Sequence, residues 1–186
     1  MHPALRLLTP WILISEVPSP CIFAPMERIY LQSQIVLENP PEGELKAFLE
    51  VYRKMGGQYK GNSGKLLVNG KNVQSPVKLL ETSVYPGFPT DLQSPVMAVL
   101  STIEGESCIR EMVFVDRYKA ADQLRKMGAR IRVQGNEAVI CGVKTLHGAA
   151  VQAQELRGGA SLILAALGAK GVTVLEGYSF VQLHFQ

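Results

Sequence analysis

Tryptophan occurs once in the 186 residues, and histidine and cysteine three times each. The three thiols, Cys21, Cys108 and Cys141, are not closely spaced, which excludes a disulfide framework and a zinc site built on cysteine pairs. Cys108 and Cys141 fall in strand-like runs, where the expectation is a buried, inert thiol, and the set is compatible with a reducing compartment. His2, His147 and His184 show no metal-ligand spacing. GGASLILAALGAKG is glycine-rich but lacks the G-x-x-x-x-G-K-[ST] spacing that cradles a phosphate. No pattern calls for a metal or an organic cofactor. A basic block is also missing. The 19 Lys and Arg are scattered among 16 Asp and Glu, and a net charge of +3 makes no case for nucleic acid. The apolar stretch ALRLLTPWILI, residues 4–14, is broken by Pro10 and too short to cross a bilayer, which reads against a membrane span or a secretory leader. The first 30 residues hold four prolines besides Pro3 and no sustained periodicity, so loose packing is expected there.

What is present is an ordinary globular balance, 47% hydrophobic and 19% charged, organised by an internal repeat. The tetrapeptide RKMG occurs at 53–56 and again 72 positions later, at 125–128. Before the first copy, Leu45, Phe48, Leu49, Tyr52 and Met55 lie at helical spacing. Their counterparts are Arg117, Ala120, Ala121, Leu124 and Met127, and only Arg117 departs from a buried-face residue type. A second pair of stripes follows: Leu92, Val96, Val99, Leu100 and Ile103, then Leu156, Ala160, Ile163, Leu164 and Leu167 at the same spacing. Gly105 and Gly171 are placed to close those helices. Short alternating runs punctuated by turns lie between: KLLVNG, PVKLLETSV, RIRVQG, EAVICGV and GAAVQA. The pattern predicts helices over about 43–56, 91–104, 117–128 and 156–169. The predicted interior includes Leu49, Tyr52, Leu92, Val96, Leu100, Leu124, Leu164 and Leu167. One-faced amphipathic helices alternating with strands mean helices packed on sheets, a duplicated α/β architecture.

The stretch YPGFPTDLQ, residues 85–93, interrupts this rhythm. Pro86 and Pro89 restrict φ, Gly87 relieves the turn, and a single carboxylate, Asp91, arrives at the start of a helix. Either Thr90 or Asp91 caps that helix, or Asp91 is a base held in place by a stiffened backbone.

Three ordered strings, YPGFPTDLQSPVMAVL (85–100), RYKAADQLRKMGA (117–129) and VQAQELRGGASLILAALGAKG (151–171) followed by EGYSF, resemble the UDP-N-acetylglucosamine 1-carboxyvinyltransferases. Those are enolpyruvyl transferases that open peptidoglycan synthesis. The resemblance spans about residues 33–182, and PGFPTD sets it apart from the shikimate-type enolpyruvyl transferases, which share the repeat. It implies an α+β fold of repeated βαβαββ units, an inside-out α/β barrel with helices inside its sheets. This chain then holds part of one domain of two, with residues 1–32 and 183–186 outside the match.

The implied reaction transfers the enolpyruvyl group of phosphoenolpyruvate to the 3-hydroxyl of UDP-N-acetylglucosamine, in the cytoplasm, with no cofactor. One proton leaves the hydroxyl, one reaches the alkene carbon, and the anionic groups need cations. By resemblance Asp91 hydrogen-bonds the 3-hydroxyl and takes its proton. Arg117 and Arg157 match arginines of the interdomain cleft, suited to bidentate grip on phosphate or carboxylate. Val113 matches a position whose main chain contacts the nucleotide-sugar. Gly158 and Gly159 lower helix propensity beside Arg157, for a close approach or for tight packing. Three family features have no match: an N-terminal lysine–asparagine pair, a mobile loop bearing a catalytic cysteine or aspartate, and a C-terminal arginine for phosphoenolpyruvate, where Leu183 stands. The expectation is a fragment, inactive alone, with ends from a truncated or shifted reading frame. The competing readings are a shikimate-type transferase and a noncatalytic remnant that keeps a nucleotide-sugar surface.

Overall fold

The structure is a computed structural model and describes residues 5–6, 34–62 and 64–177. The expectations for the N-terminal segment beyond residues 5–6, for Cys21 and for the tail after 177 lie outside the described residues. The strands are β1 (Leu5–Arg6), β2 (Gln34–Glu38), β3 (Gln58–Asn62), β4 (Lys65–Asn69), β5 (Leu80–Glu81), β6 (Glu106–Arg110), β7 (Arg130–Gln134), β8 (Glu137–Cys141), β9 (Ala150–Gln152) and β10 (Val174–Glu176). The helices are α1 (Glu42–Lys54), α2 (Gln93–Leu100), α3 (Lys119–Lys126) and α4 (Leu156–Gly168).

The duplication in the sequence is a duplication of topology. Strands β2, β3 and β4 pair in the order β2-β4-β3, and β6, β7 and β8 repeat this as β6-β8-β7, each strand 72 positions after its counterpart. A parallel pair joins each unit to the strand that follows its second helix: β5 lies along β6, and β9 along β10. Both RKMG segments do the same job. Arg53–Lys54 and Arg125–Lys126 end α1 and α3, Met55 and Met127 follow as the C-terminal caps, and Gly56 and Gly128 turn the chain at φ 97° and 93°. That left-handed conformation closes a helix and favours glycine.

The helices lie inside. Every residue of α2 is buried, as fits a helix apolar all round at the centre of a domain. Its main partner is α4, and α3 packs on both. The predicted faces of α1 and α3 are buried as expected, and so are Leu92, Val96, Leu100 and Leu164.

Other details differ. Leu167 and Ile163 are only partly buried, because α4 turns Gly158, Ser161, Leu162 and Ala165, spaced i, i+3, i+4, i+7, into the core instead. Gly158 faces α3 there, where a Cβ on it would lie 3.7 Å from the Ala120 Cβ. Gly105 and Gly171 do not cap helices. The helix α2 stops at Leu100, where Ser101 Oγ donates back to the Met97 carbonyl, and α4 stops at Gly168, so both glycines serve later turns at φ 111° and 97°. The run PVKLLETSV yields only the two-residue β5. Cys141 is exposed and Cys108 only half-buried, since both point to the outer side of the sheet. Burial nonetheless pushes the Cys108 thiol pKa up.

Candidate active site

The repeat breaks down at residues 111–118. In the first unit the matching stretch includes the first turn of α1, with Leu45 buried on its inner face. In the second unit the helix starts only at Lys119, so Arg117 sits in a loop and not on a helical stripe as its spacing predicts. Asp116, at φ 58°, and the Glu111 carboxylate both hold the chain out of helical form. Glu111 Oε1 accepts from the backbone N–H of Val113 at 3.0 Å and of Phe114 at 3.1 Å.

The YPGFPTD segment approaches this loop from the other side. A tight turn with Gly87 N–H donating to the Val84 carbonyl leads to Phe88, whose side chain is buried as an anchor. Gly87 is needed there, because a Cβ on it would lie 2.5 Å from Ser83 Oγ. Residues Thr90–Leu92 form one 3-10 turn that leads into α2, and neither end of it carries a side-chain cap. The capping reading of Thr90 and Asp91 is therefore corrected. Thr90 Oγ1 donates to Glu111 Oε2 at 2.9 Å, and Asp91 faces outward to two arginines.

Asp91, Arg117 and Arg157 converge from three separate elements. Arg157, in the first turn of α4, grips Asp91 with two prongs, Nε to Oδ1 at 2.6 Å and Nη2 to Oδ2 at 2.9 Å. The Arg117 guanidinium lies 3.3 Å from Asp91 Oδ1 and 3.5 Å from Glu155 Oε2, and stands over the Phe114 ring at 4.8 Å. The side chains grade from buried to open: Arg117 is 13% exposed, Arg157 36% and Asp91 53%. Two guanidinium groups and two carboxylates thus form a charge-balanced cluster whose outer edge faces solvent. Buried Arg117 Nε and Glu155 Oε1 have no hydrogen-bond partner among the described residues. Such a cluster can exchange partners, because an incoming anion can take the arginine forks and free a carboxylate oxygen to receive a proton.

Val113 lies on the same loop, half-buried, with its N–H given to Glu111. Sequence reasoning did not single out Glu111 or Glu155. Nothing in composition distinguishes Glu111 from any strand-end glutamate, and Glu155 was visible only as the residue two before Arg157. Behind the loop, the Tyr118 hydroxyl lies 2.8 Å from the Ile109 carbonyl and 3.0 Å from that of Asn136. Burial, with the nearby Glu111 charge second, pushes its phenol pKa up.

A family model described as EPSP synthase (3-phosphoshikimate 1-carboxyvinyltransferase) matches residues 24–184. The chain belongs to this EPSP synthase family. Among curated proteins of the family, a UDP-N-acetylglucosamine 1-carboxyvinyltransferase from Desulfofundulus thermocisternus is 41% identical over 150 residues, covering 81% of this chain and 61% of that protein. The UDP-N-acetylglucosamine 1-carboxyvinyltransferase 2 of Bacillus subtilis (strain 168) is 39% identical over 150 residues, covering 80% of this chain and 34% of its own length. The chain thus spans between about a third and three fifths of these relatives. The enolpyruvyl transferase NikO from Streptomyces tendae superposes with a TM-score of 0.72 at 22% identity, covering 86% of this chain and 39% of that one. An EPSP synthase from Acinetobacter baumannii superposes at 0.67, with 21% identity and coverage of 88% and 40%. These likenesses establish the enolpyruvyl transferase fold for the described units. Among the described residues no helix is long and apolar enough to cross a membrane.

Proposed function

We propose that this chain carries one side of an active site that transfers the enolpyruvyl group of phosphoenolpyruvate to the 3-hydroxyl of UDP-N-acetylglucosamine, releasing phosphate. The observation that carries the reading is the meeting of Asp91, Arg117 and Arg157, which span 66 positions of sequence, at one solvent-facing cluster. The names of the relatives above support the choice of nucleotide-sugar over shikimate 3-phosphate. In this reading residues 33–182 are enolpyruvyl transferase repeats of one domain, and the enzyme works in the cytoplasm.

The chemistry follows from the cluster. Without ligand, Arg157 occupies both oxygens of Asp91, and a base needs one of them free. A phosphate or carboxylate arriving between the arginines competes for their forks, since charge-assisted bidentate pairing is strong for both. Arg157 then turns to the ligand, and Asp91 accepts the 3-hydroxyl proton as the oxygen attacks C2 of the enol phosphate and C3 takes up a proton. The tetrahedral adduct then loses a C3 proton and phosphate, which restores the alkene as the enolpyruvyl ether. Arg117, deeper and braced on Phe114, holds its position and steadies the charge that develops on the ligand. The proton for the alkene carbon and the remaining cations come from sequence beyond the matched span. General acid catalysis contributes about 10²–10⁴-fold, and each missing charged hydrogen bond costs about 1.5–3 kcal/mol.

A coupled phosphate-release assay with both substrates tests this. The 186-residue chain is expected to turn over below detection, and the chain completed at both ends with family sequence is expected to turn over. In the completed protein, Asp91→Asn should remove most activity and keep nucleotide-sugar binding in a calorimeter. Wild-type turnover by Asp91→Asn would overturn the assignment.

A further inference from the structure

We propose that Glu111 is a positioning residue, a buried carboxylate that fixes the Asp91 turn and the Arg117 loop to one another. The catalytic meaning of this rests on the enolpyruvyl-transfer reading, but the positioning itself does not. Glu111 is 2% exposed and pairs with no cation among the described residues. A buried carboxylate must be compensated by hydrogen bonds. Here three donors supply them: the Val113 and Phe114 N–H groups on Oε1 and the Thr90 hydroxyl on Oε2.

Each donor leads to the site. Thr90 is bonded covalently to Asp91. Val113 and Phe114 form the loop, and the Phe114 ring lies under the Arg117 guanidinium at 4.8 Å. The carboxylate is itself offered from a fixed point. The Glu111 N–H donates to the Asn136 carbonyl at 2.8 Å, and Asn136 Nδ2 donates to the Glu111 carbonyl at 3.1 Å. The tip between β7 and β8 thereby anchors the end of β6. The Tyr118 hydroxyl, within hydrogen-bond reach of the same Asn136 carbonyl, ties in the start of α3. One side chain therefore sets the distance between the base and the cation beside it.

The position lies where the two units diverge. The first unit has Asn39 at the equivalent place and continues into a regular helix. A glutamate at 111 converts the same stretch into a loop that takes both its own backbone donors and a hydroxyl from the neighbouring turn.

The test uses nitrogen-15 NMR on the 186-residue chain, reading amide exchange at Val113 and Phe114 and the Arg157 Nε–H signal that reports its pairing with Asp91. Glu111→Ala should speed exchange at both amides by roughly ten- to a hundredfold, the value of losing a charged acceptor. It should also move the Arg157 Nε–H signal towards that of a free arginine. Thr90→Val, which removes only the hydroxyl, should move the Arg157 signal and leave the two amides at wild-type exchange. Glu111→Gln keeps a carbonyl for the amides and lets the threonine hydroxyl reverse, so it should restore the wild-type Arg157 signal. The proposal falls if Thr90→Val leaves the Arg157 signal unmoved, or if Glu111→Gln disturbs it as much as Glu111→Ala. These two variants decide the matter even if Glu111→Ala fails to fold. Separately, absence of UDP-N-acetylglucosamine binding and turnover by the completed wild-type protein would sink the enolpyruvyl-transfer reading and leave these signals interpretable.

Discussion

Replacing Asp91 by asparagine should leave the fold almost as stable as before. The Asp91–Arg157 pair is two-pronged, but its side chains are 53% and 36% exposed, and water already screens them. Pairs of this exposure contribute about 0.2–1 kcal/mol. The more deeply set Arg117 is the group at risk of being left alone. It keeps Glu155 at 3.5 Å and the Phe114 ring beneath it, and asparagine still offers one oxygen to Arg157. No helix cap is lost, because Asp91 makes none. The total is a loss of at most about 1 kcal/mol, or about 2–4 °C in Tm for a chain of this size. Urea titration followed by circular dichroism at 222 nm, with the slope of free energy against urea unchanged, measures it. A loss of 3 kcal/mol or more, on the scale of breaking a buried ion pair, would refute the reasoning. It would mean that the cluster exists to hold α4 against the 3-10 turn and that the site reading rests on a structural brace.

Leu124 supplies the contrast: it is fully buried on α3, and Leu124→Ala should cost about 2–5 kcal/mol in the same titration. A near-zero loss would show that the α3 face is not core. A third expectation concerns alkaline pH. Burial raises the Tyr52 pKa from 10.0 to about 12 and also raises that of Tyr118. Below pH 10 the folded and unfolded chains both hold these protons. Between about pH 10 and 12 the unfolded chain has released the Tyr52 proton and the folded chain has not, so stability falls as pH rises, by up to about 1.4 kcal/mol per pH unit for each tyrosine. Urea midpoints at pH 9, 10 and 11 should drop, and Tyr52→Phe should show a shallower decline. Equal slopes in the two proteins would count against a buried Tyr52 phenol.

The fold was legible where side-chain type and backbone form coincide. The RKMG segments, the α1 and α3 faces and several strand runs could be read from spacing, because burial on one face writes a period into sequence. The predicted stripe on α4 is only partly the buried face: Ala160 and Leu164 are buried, Ile163 and Leu167 only half-buried. With apolar residues on most sides, its period is weak, and the small residues Gly158, Ser161 and Ala165, which are buried, register as gaps in a hydrophobic pattern. For the site, the proline-glycine turn pointed to Asp91, and the class change from Leu45 to Arg117 marked a cation that the core does not require. What escaped were the two glutamates. Glu155 reaches Arg117 across 38 positions, and Glu111 joins its own loop to Thr90 across 21. No local pattern encodes such pairs. The break in the repeat over 111–118 was equally hidden, since a bound carboxylate and not a proline stops the helix.

The placement of Arg157 has a consequence for the order of folding. Asp91 precedes α2, and Arg157 opens α4, the last helix among the described residues, 66 positions on. Their pairing closes a long loop, so it cannot form until α4 has docked on α2. Formation of the Asp91–Arg157 pair therefore marks the completion of folding, not its nucleation. A brief departure of α4 would dismantle the cluster while the sheets of β2–β4 and β6–β8 stay paired. Undocking of a single helix costs less than global unfolding, so the site should open on a faster clock than the molecule that carries it.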